Sequence, residues 1–63
     1  MPKISLAAAR INANLTQKEA AKALKVSLST YKNWENGITY PKQPAIEKIC
    51  ELYGMPYDCI RFA

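Results

Sequence analysis

A chain of 63 residues has room for one small domain, residues 1–63, and none for a second, ligand-sensing one, since independent domains begin near ~50 residues. At 49% hydrophobic and 22% charged it has the balance of a folded, thin-cored domain rather than a disordered segment, and no apolar stretch approaches the roughly 18 residues of a membrane span. The absence of histidine, with Cys50 and Cys59 as the two cysteines, excludes a disulfide framework, a four-ligand zinc site and a Cys–His nucleophile, while a net charge of +4 directs attention to an acidic partner.

In chain order the pattern predicts helices and no strands. Leu6, Ala9, Arg10 and Ala13 are spaced i, i+3, i+4 and i+7, one face of a first helix with Ser5 as N-cap and an end near residues 12–14. Thr16 stands three residues before Glu19, a capping box in which each side chain satisfies the other residue's free backbone N–H. A second helix should run from Gln17 to Leu24, with Ala20, Ala21 and Leu24 inward and Lys18, Lys22 and Lys25 outward. Its small alanines allow a neighbouring helix to approach closely. After a short turn Ser27 caps a third helix, with Tyr31 and Trp34 inward and Leu28, Ser29, Lys32 and Asn33 facing away. Gly37 supplies a left-handed stop. Residues 38–43 form a loop, and Pro44 suits the first turn of a fourth helix carrying Ile46, Ile49, Cys50 and Tyr53 on one face and ending at Gly54. Pro56 opens a last short helix containing Tyr57, Ile60 and Phe62.

The positive charge is unevenly spread, +5 over residues 1–42 and −1 from residue 43 onward. With a pI of about 9.3 this predicts a one-sided basic surface suited to a polyanion, nucleic acid first and an anionic membrane surface second; on composition alone a merely solvated basic face stays open. An enzyme is not expected, and neither is a metal or a cofactor. Glu47 and Glu51, four apart, describe a solvated helix face, and there is no glycine-rich phosphate loop. Two helices joined by so short a turn, the second with small polar and basic residues on its free face, fit a helix-turn-helix at residues 17–36, although short helical hairpins in general also fit.

The segments Leu15-Thr-Gln-Lys-Glu-Ala-Ala21, Val26-Ser27 and Trp34-Glu-Asn-Gly37 make the pattern specific. Together with Arg10 they closely resemble the phage-repressor and Cro-like, or Xre-type, helix-turn-helix family, over nearly the whole chain from Leu6 to Ile60. Two positions depart from the family pattern. Lys25 stands where glycine is usual, which in a left-handed conformation costs about 1–2 kcal/mol. Ala20 replaces a common leucine and should thin the core.

The resemblance implies an all-α, lambda-repressor-like domain of four to five helices whose recognition helix, residues 28–36, enters the major groove of double-stranded DNA. Leu28, Ser29, Lys32 and Asn33 match the positions that face base edges: Lys can reach guanine O6 and N7, Asn can bridge adenine N6 and N7, Ser is adaptable and Leu can meet a thymine methyl. Gln17, Asn36, Tyr40 and Lys42 match positions that touch the DNA backbone, Gln17 through its amide beside the amides at the helix start. The bland alternative for each is a solvated side chain. Arg10, on an apolar face, needs a partner, and the resemblance gives it Glu35 as a structural ion pair. Tyr31 and Trp34 are expected in the core rather than as base-stacking platforms. Two copies on a pseudo-palindromic operator are expected to pair through Met55, Tyr57 and Ile60, whose apolar surface exceeds what a short terminal helix can bury. The expected role is a cytoplasmic, bacterial or phage-encoded transcriptional regulator, a repressor first. The alternative is a protein-interaction module, such as the DNA-binding antitoxin of a toxin–antitoxin pair.

Overall fold

The computed structural model describes residues 3–62. Its elements are β1 (Ile4–Ser5), α1 (Leu6–Asn12), α2 (Gln17–Ala23), α3 (Leu28–Glu35), α4 (Gln43–Tyr53), a single 3₁₀ turn (Tyr57–Cys59) and β2 (Ile60–Arg61). The architecture is all-α, with four α-helices among the described residues. None of them is long and apolar enough to cross a membrane.

Local chemistry starts three of the helices. Ser5 Oγ accepts the Ala8 N–H at 3.1 Å, and Ser27 Oγ accepts the Thr30 N–H at 3.1 Å. At α2 both halves of the capping box form: Thr16 Oγ1 accepts from the Glu19 N–H at 3.1 Å, and Glu19 Oε1 accepts from the Thr16 N–H at 2.9 Å. The Thr16 backbone N–H first, and the Thr16 hydroxyl second, hold the Glu19 carboxyl below its ordinary range. Lys42, at the same position of α4, makes no side-chain cap bond, and Pro44 in the first turn has no N–H to satisfy.

One device also closes all four helices. Asn14, Lys25, Gly37 and Gly54 are left-handed, with φ of 60°, 59°, 74° and 64°. Just after each helix two consecutive N–H groups turn back to its last carbonyls. Asn14 and Leu15 donate to Ile11 and Arg10, Lys25 and Val26 to Lys22 and Ala21, Gly37 and Ile38 to Trp34 and Asn33, Gly54 and Met55 to Glu51 and Cys50. Glycine adopts this conformation freely and asparagine tolerates it, so the strain expected at Lys25 is present.

α2 packs chiefly against α3, where Ala20 and Ala21 are buried and let the two backbones close. α1 lies against α3 and α4. Tyr31, Ile49 and Ile60 are the largest fully buried side chains, and Tyr31 meets Trp34 edge-on at a centroid distance of 6.1 Å. Burying an isoleucine fully contributes about 1.5–3 kcal/mol, so Ile49 and Ile60 are major supports of a core this small.

The C-terminal segment departs from the helical expectation. Pro56 opens one 3₁₀ turn, in which the Cys59 N–H donates to the Pro56 carbonyl, and the chain then becomes extended at Ile60 with φ −117° and ψ 131°. β2 pairs in parallel with β1, Ile4 opposite Ile60 and Ser5 opposite Arg61. Ile60 and Phe62 therefore point inward while Arg61 faces solvent, the two-residue alternation of a strand that a helix could not give. This corrects both the reading of no strands and the surplus apolar surface assigned to the terminus. Ile60 is 1% exposed, Phe62 is buried, and Met55 packs partly buried against the same core; Tyr57, stacked on Phe62, is exposed.

Candidate nucleic-acid interface

The amphipathic spacing of α3 splits its side chains between two environments. Tyr31 and Trp34 enter the core, while Leu28, Ser29 and Lys32 are exposed along the opposite face. Asn33 sits at the edge of that face, half-buried, and its carbonyl accepts the N–H groups of Ile38 at 2.9 Å and Thr39 at 3.4 Å. The loop after α3 is thus tied to the helix end through the Asn33 backbone, leaving the Asn33 amide outside those bonds. Asn36, Tyr40 and Lys42 are exposed, and Pro41 is buried between the last two. Chemically the face of α3 offers an ammonium, a hydroxyl, an amide and one apolar side chain within two turns.

Beneath it lies a polar cluster that tertiary structure assembles. Arg10 Nε donates to Glu35 Oε2 at 2.7 Å, with the two side chains 14% and 5% exposed. Arg10 Nη1 donates to the Leu15 carbonyl at 2.8 Å, and Gln17 Nε2 donates to Glu35 Oε1 at 2.9 Å. Burial by itself would push the Glu35 carboxyl up; hydrogen bonds from Arg10, Gln17 and Tyr31 and the charge of Arg10 outweigh it and hold the pKa below the ordinary value. For Arg10, burial favours the neutral form and the Glu35 carboxylate overrules it, so its pKa is raised. The Tyr31 and Tyr53 hydroxyls hydrogen-bond to each other inside the core. Burial, with the Tyr53 and Glu35 contacts, drives Tyr31 far above the ordinary phenol range, and burial raises Tyr53 as well.

The Gln17–Glu35 and Tyr31–Tyr53 bonds escaped the sequence reading. Their partners lie 18 and 22 positions apart, beyond any local spacing rule, and the available signal was that a carboxylate has two oxygens and Arg10 Nε takes one. Gln17, matched to a backbone-contacting position, thus has one amide N–H already engaged. Both cysteines are free and half-buried, and burial pushes the Cys50 thiol up, away from the reactive thiolate. Among the described residues no group of three or more His, Cys, Asp or Glu side chains could hold a metal ion.

Residues 6–58 match the family described as Helix-turn-helix. The cryptic phage CTXphi transcriptional repressor RstR of Vibrio cholerae is 36% identical over 47 residues, which cover 75% of this chain and 42% of that protein. The chain therefore spans less than half the length of the curated relative it matches. No solved structure matches it. The family match runs from the first residue of α1 into the turn that follows α4, and it takes in the capping box, the Ser27 cap and the Arg10–Glu35 pair. On that extent the chain belongs to the phage-repressor, Xre-type helix-turn-helix family.

Proposed function

We propose that the chain is a sequence-specific double-stranded DNA-binding transcriptional regulator, acting as a repressor by occupying an operator. The observation that carries this reading is the outer face of α3. Ser29, Lys32 and Asn33 present side chains with no hydrogen bond or ion pair to other described residues, on a helix locked from beneath by Tyr31, Trp34 and the Arg10–Glu35 pair. Side chains that are free to bond, carried on a backbone that is not free to move, suit base reading in a major groove. Leu28 would add an apolar contact to a thymine methyl, and Gln17, Asn36, Tyr40 and Lys42 would hold the flanking phosphates. RstR is a phage transcriptional repressor by its name, which favours the repressing sense and a cytoplasmic site of action in a bacterial host.

Two copies would occupy the half-sites of a pseudo-palindrome, their recognition helices about one DNA turn, ~34 Å, apart. Tyr57 is the exposed member of the apolar residues first assigned to that pairing. The large exposed apolar side chains, Ile11, Leu28, Ile38, Tyr40, Leu52 and Tyr57, come from five different segments rather than one helix face, so none of these elements by itself offers a protein-binding stripe.

The test is a set of binding isotherms on cognate and scrambled duplexes at several salt concentrations. Asn33→Ala should cost ~1–3 kcal/mol on the cognate duplex and leave the scrambled one almost unchanged. Lys32→Ala should lose affinity selectively for the cognate site if it reads a base, or flatten the salt dependence by roughly 0.9 if it meets a phosphate. Equal losses on both duplexes from both variants would remove α3 as the reader and turn attention to protein partners.

A further inference from the structure

Three consecutive residues lead the chain into α2, and each is held by a different side chain. Leu15 gives its carbonyl to Arg10 Nη1 at 2.8 Å, Thr16 exchanges bonds with Glu19, and Gln17 donates an amide N–H to Glu35 Oε1 at 2.9 Å. Arg10 Nε satisfies one oxygen of the nearly buried Glu35 carboxylate and the Gln17 amide satisfies the other. The Gln17 bond also fixes the rotamer of a side chain that is half-buried and would otherwise be free to turn.

We propose that Glu35 is a positioning residue for DNA: through Oε1 it holds the Gln17 amide in the orientation in which its second N–H meets a phosphate, so that Gln17 binds without being ordered at the moment of contact. This rests on the DNA-binding reading above. A carboxylate is an awkward choice for the task, since by itself it repels a phosphate. Arg10 removes the difficulty: its Nε lies 2.7 Å from the other oxygen of Glu35, and the pair is nearly buried and net neutral. The same guanidinium holds Leu15, two residues before Gln17, so the backbone leading to that amide is fixed together with the amide itself. Glu35 closes α3, and the bond it makes therefore ties the phosphate-facing side chain to the helix that faces the bases.

A double-variant cycle on a random-sequence DNA duplex tests this, because a phosphate contact carries no sequence information. Gln17→Ala should weaken binding roughly tenfold, the scale of one hydrogen bond to a charged group. Glu35→Gln, measured where melting curves show it folded, should weaken binding by roughly 2- to 10-fold, the scale of ordering one side chain on association. The double variant should bind within about twofold of Gln17→Ala, since an amide that is absent needs no orienting. Independent, multiplying losses would overturn the proposal. So would tighter binding by Glu35→Gln with a steeper salt dependence, which would make Glu35 a repelling charge and nothing more. A second measurement uses the unaltered protein. The Gln17 side-chain amide should be ordered before DNA is added, with an order parameter near the rigid value of ~0.85; a value below ~0.6 would overturn the proposal even if Glu35→Gln does not fold. Failure of the unaltered chain to bind any duplex would instead defeat the DNA-binding reading, and this inference with it.

Discussion

The helix-turn-helix half, residues 16–37, and the C-terminal closure, residues 54–62, are built from opposite kinds of contact. In the first, caps and stops join residues three to five apart: Thr16 to Glu19, Ser27 to Thr30, Val26 to Ala21 and Ile38 to Asn33. In the second, the governing contact joins Ile60 to Ile4 across nearly the whole chain. Bonds of the first kind are recorded in neighbouring letters, while a strand pairing is decided by whatever edge the rest of the fold leaves free. The outer face of α3 therefore rests on locally specified structure, and the terminus is specified by the core it completes.

The largest expected effect probes a long-range ion pair on which the helix-turn-helix half also depends. Glu35→Ala should leave Arg10 charged and nearly buried, destabilising the fold by about 3–5 kcal/mol in urea or thermal unfolding. A melt close to that of the parent chain would show the half to be self-sufficient. The same pair sets an acid limit. Because the folded state lowers the Glu35 pKa, its contribution is complete above the ordinary carboxylate value of ~4.3 and is lost as pH falls through the depressed folded value. Tyr31 sets the alkaline limit with the opposite sign. Its folded pKa is raised, so its contribution is complete below the ordinary ~10 and is lost as pH climbs above that. Unfolding midpoints across pH should trace both limbs.

Next in size, Ile60→Ala should cost about 2–4 kcal/mol by opening a cavity where the side chain is 1% exposed. That loss should be independent of protein concentration, since it belongs to the chain's own core. A variant that keeps its melting point and changes only self-association in sedimentation would return Ile60 to an interface between copies.

The smallest effect runs the other way. Lys25→Gly removes the left-handed strain of about 1–2 kcal/mol and gives back about 0.5–1 kcal/mol of glycine's conformational entropy, a net gain of roughly 0.5–1 kcal/mol. In a domain of this size a thermal melt resolves such a gain. No change, or a loss, would mean that the Lys25 side chain stabilises the turn by other contacts.

The first four helices, their caps and stops, and the inward residues Leu6, Ala9, Ala20, Ala21, Leu24, Tyr31, Trp34, Ile49 and Tyr53 were determined by the sequence itself, because each follows from periodicity and from hydrogen bonds a few residues long. The exposed row of Leu28, Ser29 and Lys32 follows from the same period, being opposite a buried one. The tertiary structure alone decided where the terminus goes. An Ile-Arg-Phe run fits the last turn of a helix or a short strand, and the open edge at Ile4–Ser5 beside an unfilled core selected the strand. It also decided what Gln17 touches. That glutamine's local surroundings ask only for a polar side chain at a helix start, and the free oxygen of Glu35, 18 residues away, is brought within 2.9 Å when α2 closes on α3 through Ala20 and Ala21 of α2.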